Sequence, residues 1–126
     1  MSNISLSNLS SEIVRGFQTY TENVTSEINE EVKARSKELV KAIKASSPLK
    51  TGDYKKGWTS KIENSHGRIT VTVYNKKKGS LVHLLENGHA KRGGGRVSGK
   101  PHVRPATDRE TALLEENIKS IIKRGG

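Results

Sequence analysis

Apolar residues recur along the first third of the chain at Ile13, Phe17, Tyr20, Val24, Ile28, Val32, Leu39 and Ile43, in steps of three, four or seven. That spacing holds them on one stripe of an α-helix and predicts a single long helix over residues 10–45. The stripe is interrupted once, at Arg35 and Ser36. Between Gly16 and Pro48 there is neither glycine nor proline, and Ser46, Ser47 and Pro48 end the helix. A start near Thr21 or Thr25 is an alternative reading. The longer version spans on the order of 50 Å at about 1.5 Å per residue, more than a compact domain of this size covers. Part of it must then project, bend or pack on another copy. A coiled coil is the generic solution, but sustained a/d leucines are missing.

Beyond Pro48 the period changes. Residues 48–56 (PLKTGDYKK) form a turn able to start a short helix, with Thr51 or Asp53 as its cap. Residues 57–64 (GWTSKIEN) and 68–75 (RITVTVYN) alternate and are rich in β-branched and aromatic side chains. With Ser65, His66 and Gly67 between them, they predict a β-hairpin. Ile69, Val71 and Val73 share one face of it; Thr70, Thr72 and Tyr74 share the other. Residues 75–79 form an exposed turn. Leu81, Val82, Leu84 and Leu85 predict one or two helical turns against the core, with Gly88 as the left-handed stop. Residues 88–104 then read as a long, open, glycine-rich loop. A final helix, capped by Thr107 or Asp108, directs Leu113, Leu114, Ile118, Ile121 and Ile122 to the core and ends on Lys123 and Arg124. The expected fold is α+β: long N-terminal helix, small antiparallel sheet built on a hairpin, short helix, basic loop and C-terminal helix. It forms one domain over residues 1–126, in which 1–47 is the long helix, 48–104 a basic β-rich core and loop, and 105–126 the last helix.

Composition sharpens this picture. Only 31% of the 126 residues are hydrophobic and 4% aromatic, so the core must be thin and neighbouring subunits are expected to cover apolar surface. Trp58 is expected in that core. The absence of cysteine excludes disulfides and thiolate metal sites. No apolar run is long enough to span a membrane, and the first residues lack the basic and apolar regions of a signal peptide. The net charge of +10 is concentrated. Residues 1–47 carry six basic and six acidic side chains, and residues 105–126 carry four of each. Residues 48–104 carry thirteen basic side chains against Asp53, Glu63 and Glu86. A localised basic patch suits a polyanion or an acidic partner surface.

Candidate chemistry is sparse. His66, His83, His89 and His102 are scattered, and the spacing of His83, Glu86 and His89 suits neither a shared helical face nor a metal motif. A hydrolase or nuclease built on those three is therefore the least supported class, no cofactor is expected, and the chain reads as a non-enzyme. The glycine-rich loop matches neither a dinucleotide fingerprint nor a P-loop. The residues expected to meet DNA or a partner are Lys76, Lys77 and Lys78 on the 75–79 turn and Lys91, Arg92, Arg96 and Lys100 on the loop. Glu86, ending an apolar helix, needs partners, either Arg104 or backbone N–H groups of the following loop. It is expected to organise that loop together with Gly88 and Arg104.

Four short motifs occur in series. Ser47 and Pro48 followed by Thr51, Gly52, Asp53 and Tyr54, then Val73–Tyr74–Asn75, then HLLENGHA at 83–90, then PHVRPA at 101–106, resemble the head–tail joining (neck or tail-completion) proteins of tailed phages of the gp10-like type. Departures from that pattern are Gly57 in place of a common serine, Leu81–Val82 in place of an aromatic–alanine pair, and His102 in place of a frequent proline or phenylalanine neighbour. The resemblance implies a virion structural protein of the neck or tail, assembled in the host cytoplasm as a six- or twelve-fold homo-oligomeric ring around the DNA channel. It further implies contacts with head-side connector or adaptor proteins, with a tail terminator or tail tube, and with packaged double-stranded DNA. A free nucleic-acid-binding protein and a related minor tail or capsid component are the alternatives.

Overall fold

The computed structural model describes residues 6–48 and 52–126, with side chains from residue 11 onward; the Thr51 cap lies outside the described residues. Helix α1 runs from Leu6 to Ser46, 41 residues and about 60 Å. A start at Thr21 or Thr25 is thereby excluded. Helix α2 (Asp53–Lys56) is a single turn. Asp53 opens it without capping it; Gly52 takes the cap position at φ 86°, a left-handed backbone that glycine adopts without penalty.

Strands β1 (Trp58–Ser65) and β2 (Arg68–Asn75) pair antiparallel from Trp58 opposite Asn75 to Ser65 opposite Arg68. His66 and Gly67 both have positive φ, 54° and 78°, the tight two-residue turn whose twist matches the strands. As the alternation requires, Ile69, Val71 and Val73 are partly covered while Thr70, Thr72 and Tyr74 are exposed. The hairpin lies along α1, and its tip is tied down where Asn29 Nδ2 donates to the Gly67 carbonyl at 2.9 Å.

Helix α3 (Leu81–Asn87) follows, and then the expected loop proves to be a second small hairpin, β3 (Gly88–Ala90) with β4 (Arg96–Ser98). The sequence signal was too weak for such three-residue strands, which alternate too briefly to register. Gly88 is not a left-handed stop. Its φ of 80° and ψ of 178° send the chain straight from α3 into β3, a conformation open essentially to glycine.

Helix α4 (Val103–Arg124) begins well before Thr107 and Asp108, neither of which caps it. Pro105 is accommodated because first-turn N–H groups have no intrahelical acceptor. α4 packs antiparallel on α1, since Arg35 meets Glu110, Asn117 meets Glu31, and Arg124 meets Glu27. Arg35 forms ion pairs with Glu31 and Glu110, each at 3.0 Å, and donates a hydrogen bond to Glu110, in a half-buried polar seam. The interruption of the apolar stripe at Arg35 is therefore an interhelical ion network. The inward face of α4 is Ala106, Glu110, Leu114, Ile118 and Ile121; Leu113 and Ile122 are exposed.

Ile43, Tyr54, Trp58 and Ala106 form the core, ringed by Leu39, Val40, Val73, Leu81, Val82, Leu85 and Val103. Leu84, expected there, is exposed. The core is small and sits at the C-terminal end of α1. At the opposite end α1 runs on beyond its contact with α4, where the Tyr20 hydroxyl donates to the Ile122 carbonyl. On that extension Ile13, Val14 and Phe17 are 51%, 55% and 68% exposed.

Candidate interaction surfaces and the junction that sets them

Two structural knots position the charged surfaces. The first closes around Glu86 at the end of α3. Its Oε1 accepts the backbone N–H groups of His102 and Val103, both at 2.9 Å, and its Oε2 accepts that of Arg104 at 2.8 Å. Those are among the N–H groups that a helix N-terminus leaves without intrahelical partners, so a side chain seventeen residues upstream caps α4. Burial opposes the Glu86 charge, but the three N–H groups and His102 outweigh it and hold the carboxyl below its ordinary range. The Arg104 guanidinium is not its partner. It is exposed and faces Asp108 at 3.9 Å.

His102, which sequence reasoning passed over as one of four scattered histidines, is buried against this cap. Nδ1 lies 2.7 Å from the Lys100 carbonyl and 3.1 Å from Glu86 Oε1. A carbonyl only accepts, so Nδ1 carries a proton, and in the neutral ring Nε2 accepts from the Tyr54 hydroxyl at 2.6 Å. Tyr54, Trp58 and His102 meet edge to face with centroids 5.5–6.5 Å apart. Burial and the Glu86 charge push the Tyr54 phenol up to about 12. A proline-flanked histidine in PHVRP was the available signal, but its partner lies forty-eight residues away.

The second knot is Asn75, buried at the end of β2. Its Nδ2 donates to the Tyr54 carbonyl at 2.7 Å, and its Oδ1 accepts from Lys77 N–H and Lys78 N–H at 3.1 and 2.9 Å. Gly57 lies so close that a Cβ there would fall 2.2 Å from Asn75 Oδ1. This explains why glycine stands where the resembled pattern has serine.

The cations separate into two groups. Lys76, Lys77 and Lys78 sit on the turn fixed by Asn75, all exposed. Lys91 and Arg92 occupy the tip of the β3–β4 hairpin, closed by Lys91 N–H to Gly95 O at 3.0 Å. Arg96 donates to the Asn87 carbonyl at 2.9 Å, tying the hairpin back to α3. The base of that hairpin is a backbone contact. A Cβ on Gly88 would fall 2.3 Å from Val97 O, and one on Gly99 would fall 2.4 Å from Glu86 O. The loop is thus pinned at its foot rather than loose along its length.

Matched against known families, residues 11–88 fit the profile described as "Bacteriophage HK97-gp10, putative tail-component". The chain belongs to the HK97-gp10-like family. The matched span takes in α1 from Ser11, α2, the β1–β2 hairpin and α3, and stops at Gly88, before the second hairpin and α4. The PHVRPA motif lies outside it. Neither the curated proteins nor the solved structures gave a match. Family membership makes the protein a phage structural component, located in the virion and in contact with other virion proteins.

An open groove of about 750 Å³ runs between α3 and the start of α4, bounded by Val82, His83, Pro101, Val103 and Pro105. Glu86 lines it, but both its oxygens are already occupied by the cap. Among the described residues no group of three or more His, Asp or Glu could hold a metal ion, and no helix is long and apolar enough to cross a membrane.

Proposed function

We propose that this protein joins head and tail in a tailed phage, as a ring of identical single-domain subunits surrounding the DNA channel. The observation that carries this reading is the projecting end of α1. Ile13, Val14 and Phe17, 51%, 55% and 68% exposed, present an apolar stripe that no other described residue covers fully. In a phage structural family, a heterologous contact that closes on itself buries such a stripe in every subunit. Six or twelve copies would close the ring, meeting a head-side connector or adaptor on one face and a tail terminator or tube on the other. Glu86, Gly88 and Arg104 set the path of the chain into the second hairpin and α4, and the cationic turns face DNA or an acidic neighbouring ring. The protein acts by fit and charge, with no cofactor and no reaction.

The test is its place and mass in assembled particles. Electron microscopy of virions, with the mass of the purified oligomer, should show a closed ring in the neck. A stable solitary monomer absent from particles would end the proposal. Replacing Arg92, Arg96 and Lys100 together by Ala tests the second hairpin, and normal tailed virions would remove it from the mechanism. The alternative, a free nucleic-acid-binding protein, draws on the exposed lysines. It expects duplex affinity without any presence in the virion.

A further inference from the structure

Lys55 and Lys56 end α2, and Lys76, Lys77 and Lys78 form the turn after β2. Distant in sequence, they are neighbours in space. Lys76 N–H donates to the Gly57 carbonyl at 2.9 Å, and a Cβ on Gly57 would lie 3.1 Å from the Lys77 Cβ. Asn75 holds the two pieces together, donating to Tyr54 on one side and accepting from Lys77 and Lys78 on the other. All five lysines are exposed, and none makes an ion pair with another described residue. Asp53 is the one carboxylate on either element.

We infer that Lys55, Lys56, Lys76, Lys77 and Lys78 form a binding patch for the phosphate backbone of double-stranded DNA, and that this patch, not the tip of the second hairpin, is where the chain meets duplex. The inference deepens the proposed function and rests on it for the source of the DNA. Like charges kept together without counter-charge repel one another, and a buried side chain is used here to hold them together. Duplex DNA presents one negative charge per roughly 1.7 Å of axis, so a patch this dense can face several phosphates at once. A patch on a braced turn loses little freedom on binding, because its backbone is already fixed. The competing element offers less. Arg96 is engaged with the Asn87 carbonyl, leaving Lys91 and Arg92 at a tip whose three glycines have nothing within 4 Å of a built Cβ.

The full-length chain should be titrated into a fluorescently labelled 20-base-pair duplex, with anisotropy read from 50 to 200 mM NaCl. Five phosphate contacts give a log–log slope of about −4.5, or roughly a 500-fold loss of affinity over that range. The K76A/K77A/K78A variant should retain a slope near −1.8, roughly a 12-fold loss, while K91A/R92A should match the parent. These are exposed residues whose removal leaves the core intact, and circular dichroism checks that each variant folds. The inference is overturned by absence of duplex binding at 50 mM salt, by a parental slope in the triple variant, or by a collapsed slope in K91A/R92A. Polyglutamate displacing duplex at equal charge concentration would also overturn it, assigning the patch to an acidic protein face. Occurrence in virions is a separate readout. A chain present in the neck that ignores duplex sinks the patch alone, whereas a duplex-binding chain absent from particles sinks the joining role.

Discussion

Replacing Glu86 by Gln should destabilise the whole fold rather than one loop. The glutamate accepts three backbone N–H groups at 2.8–2.9 Å and places a negative charge at the N-terminus of α4. Glutamine keeps one oxygen and turns an NH₂ group toward the same N–H donors, so at least one bond and the charge are lost. Hydrogen bonds to charged groups contribute about 1.5–3 kcal/mol each, and a charge at a helix N-terminus about 0.3–1 kcal/mol. The expected loss is about 2–3 kcal/mol, which for a chain of this length lowers Tm by roughly 6–12 °C. Alanine leaves all three N–H groups unmade. Its cost of about 3–5 kcal/mol approaches the total stability of a small domain, so glutamine is the informative variant. Thermal unfolding followed by circular dichroism at pH 7 measures the effect, and amide exchange at His102, Val103 and Arg104 localises it. The pH dependence adds a second signature. The Glu86 carboxyl is held below its unfolded value, so its stabilisation is complete above the ordinary carboxylate range and is lost as pH falls through the folded value. The gap in Tm between parent and variant should therefore shrink as pH is lowered below about 4. A variant melting within about 1 °C of the parent at pH 7, or a gap indifferent to acid, would refute the cap.

Other expectations follow from the same contacts. Gly99→Ala drives a Cβ into the Glu86 carbonyl and should cost at least about 2 kcal/mol, whereas Gly93→Ala, with open space around it, should change stability by less than about 1 kcal/mol; equal melting temperatures for the two would show that the hairpin foot is not close-packed. Tyr54→Phe removes the hydroxyl that His102 accepts and should cost about 1–2 kcal/mol at pH 7. In the parent the Tyr54 phenol is raised, so its stabilisation is full below about pH 10 and is lost as pH climbs through about 12; an ultraviolet titration with every tyrosine ionised by pH 10.5 would contradict that placement. Ile13→Ser with Phe17→Ser should leave the melting curve of the isolated subunit within about 0.5 kcal/mol of the parent, since both side chains are half or more exposed, while abolishing self-association in sedimentation; an unchanged oligomer would acquit the α1 stripe.

The elements themselves were legible because their signals are local. A 3.6-residue apolar period, a two-residue alternation and a His–Gly turn need no knowledge of the rest of the chain, and they gave α1, the β1–β2 hairpin, α3 and α4 in order. The concentration of charge between residues 48 and 104 is likewise a property of the string alone. Only the tertiary structure decided how these parts are locked. Arg35 is a break in a stripe until Glu110 is brought beside it, and His102 is one histidine among four until Tyr54 meets its ring. Glu86 caps a helix that begins seventeen residues later, and Asn75 braces lysines from two separate turns. Such contacts leave no periodic trace, because a hydrogen bond constrains two positions in space and says nothing about the spacing between them in the chain.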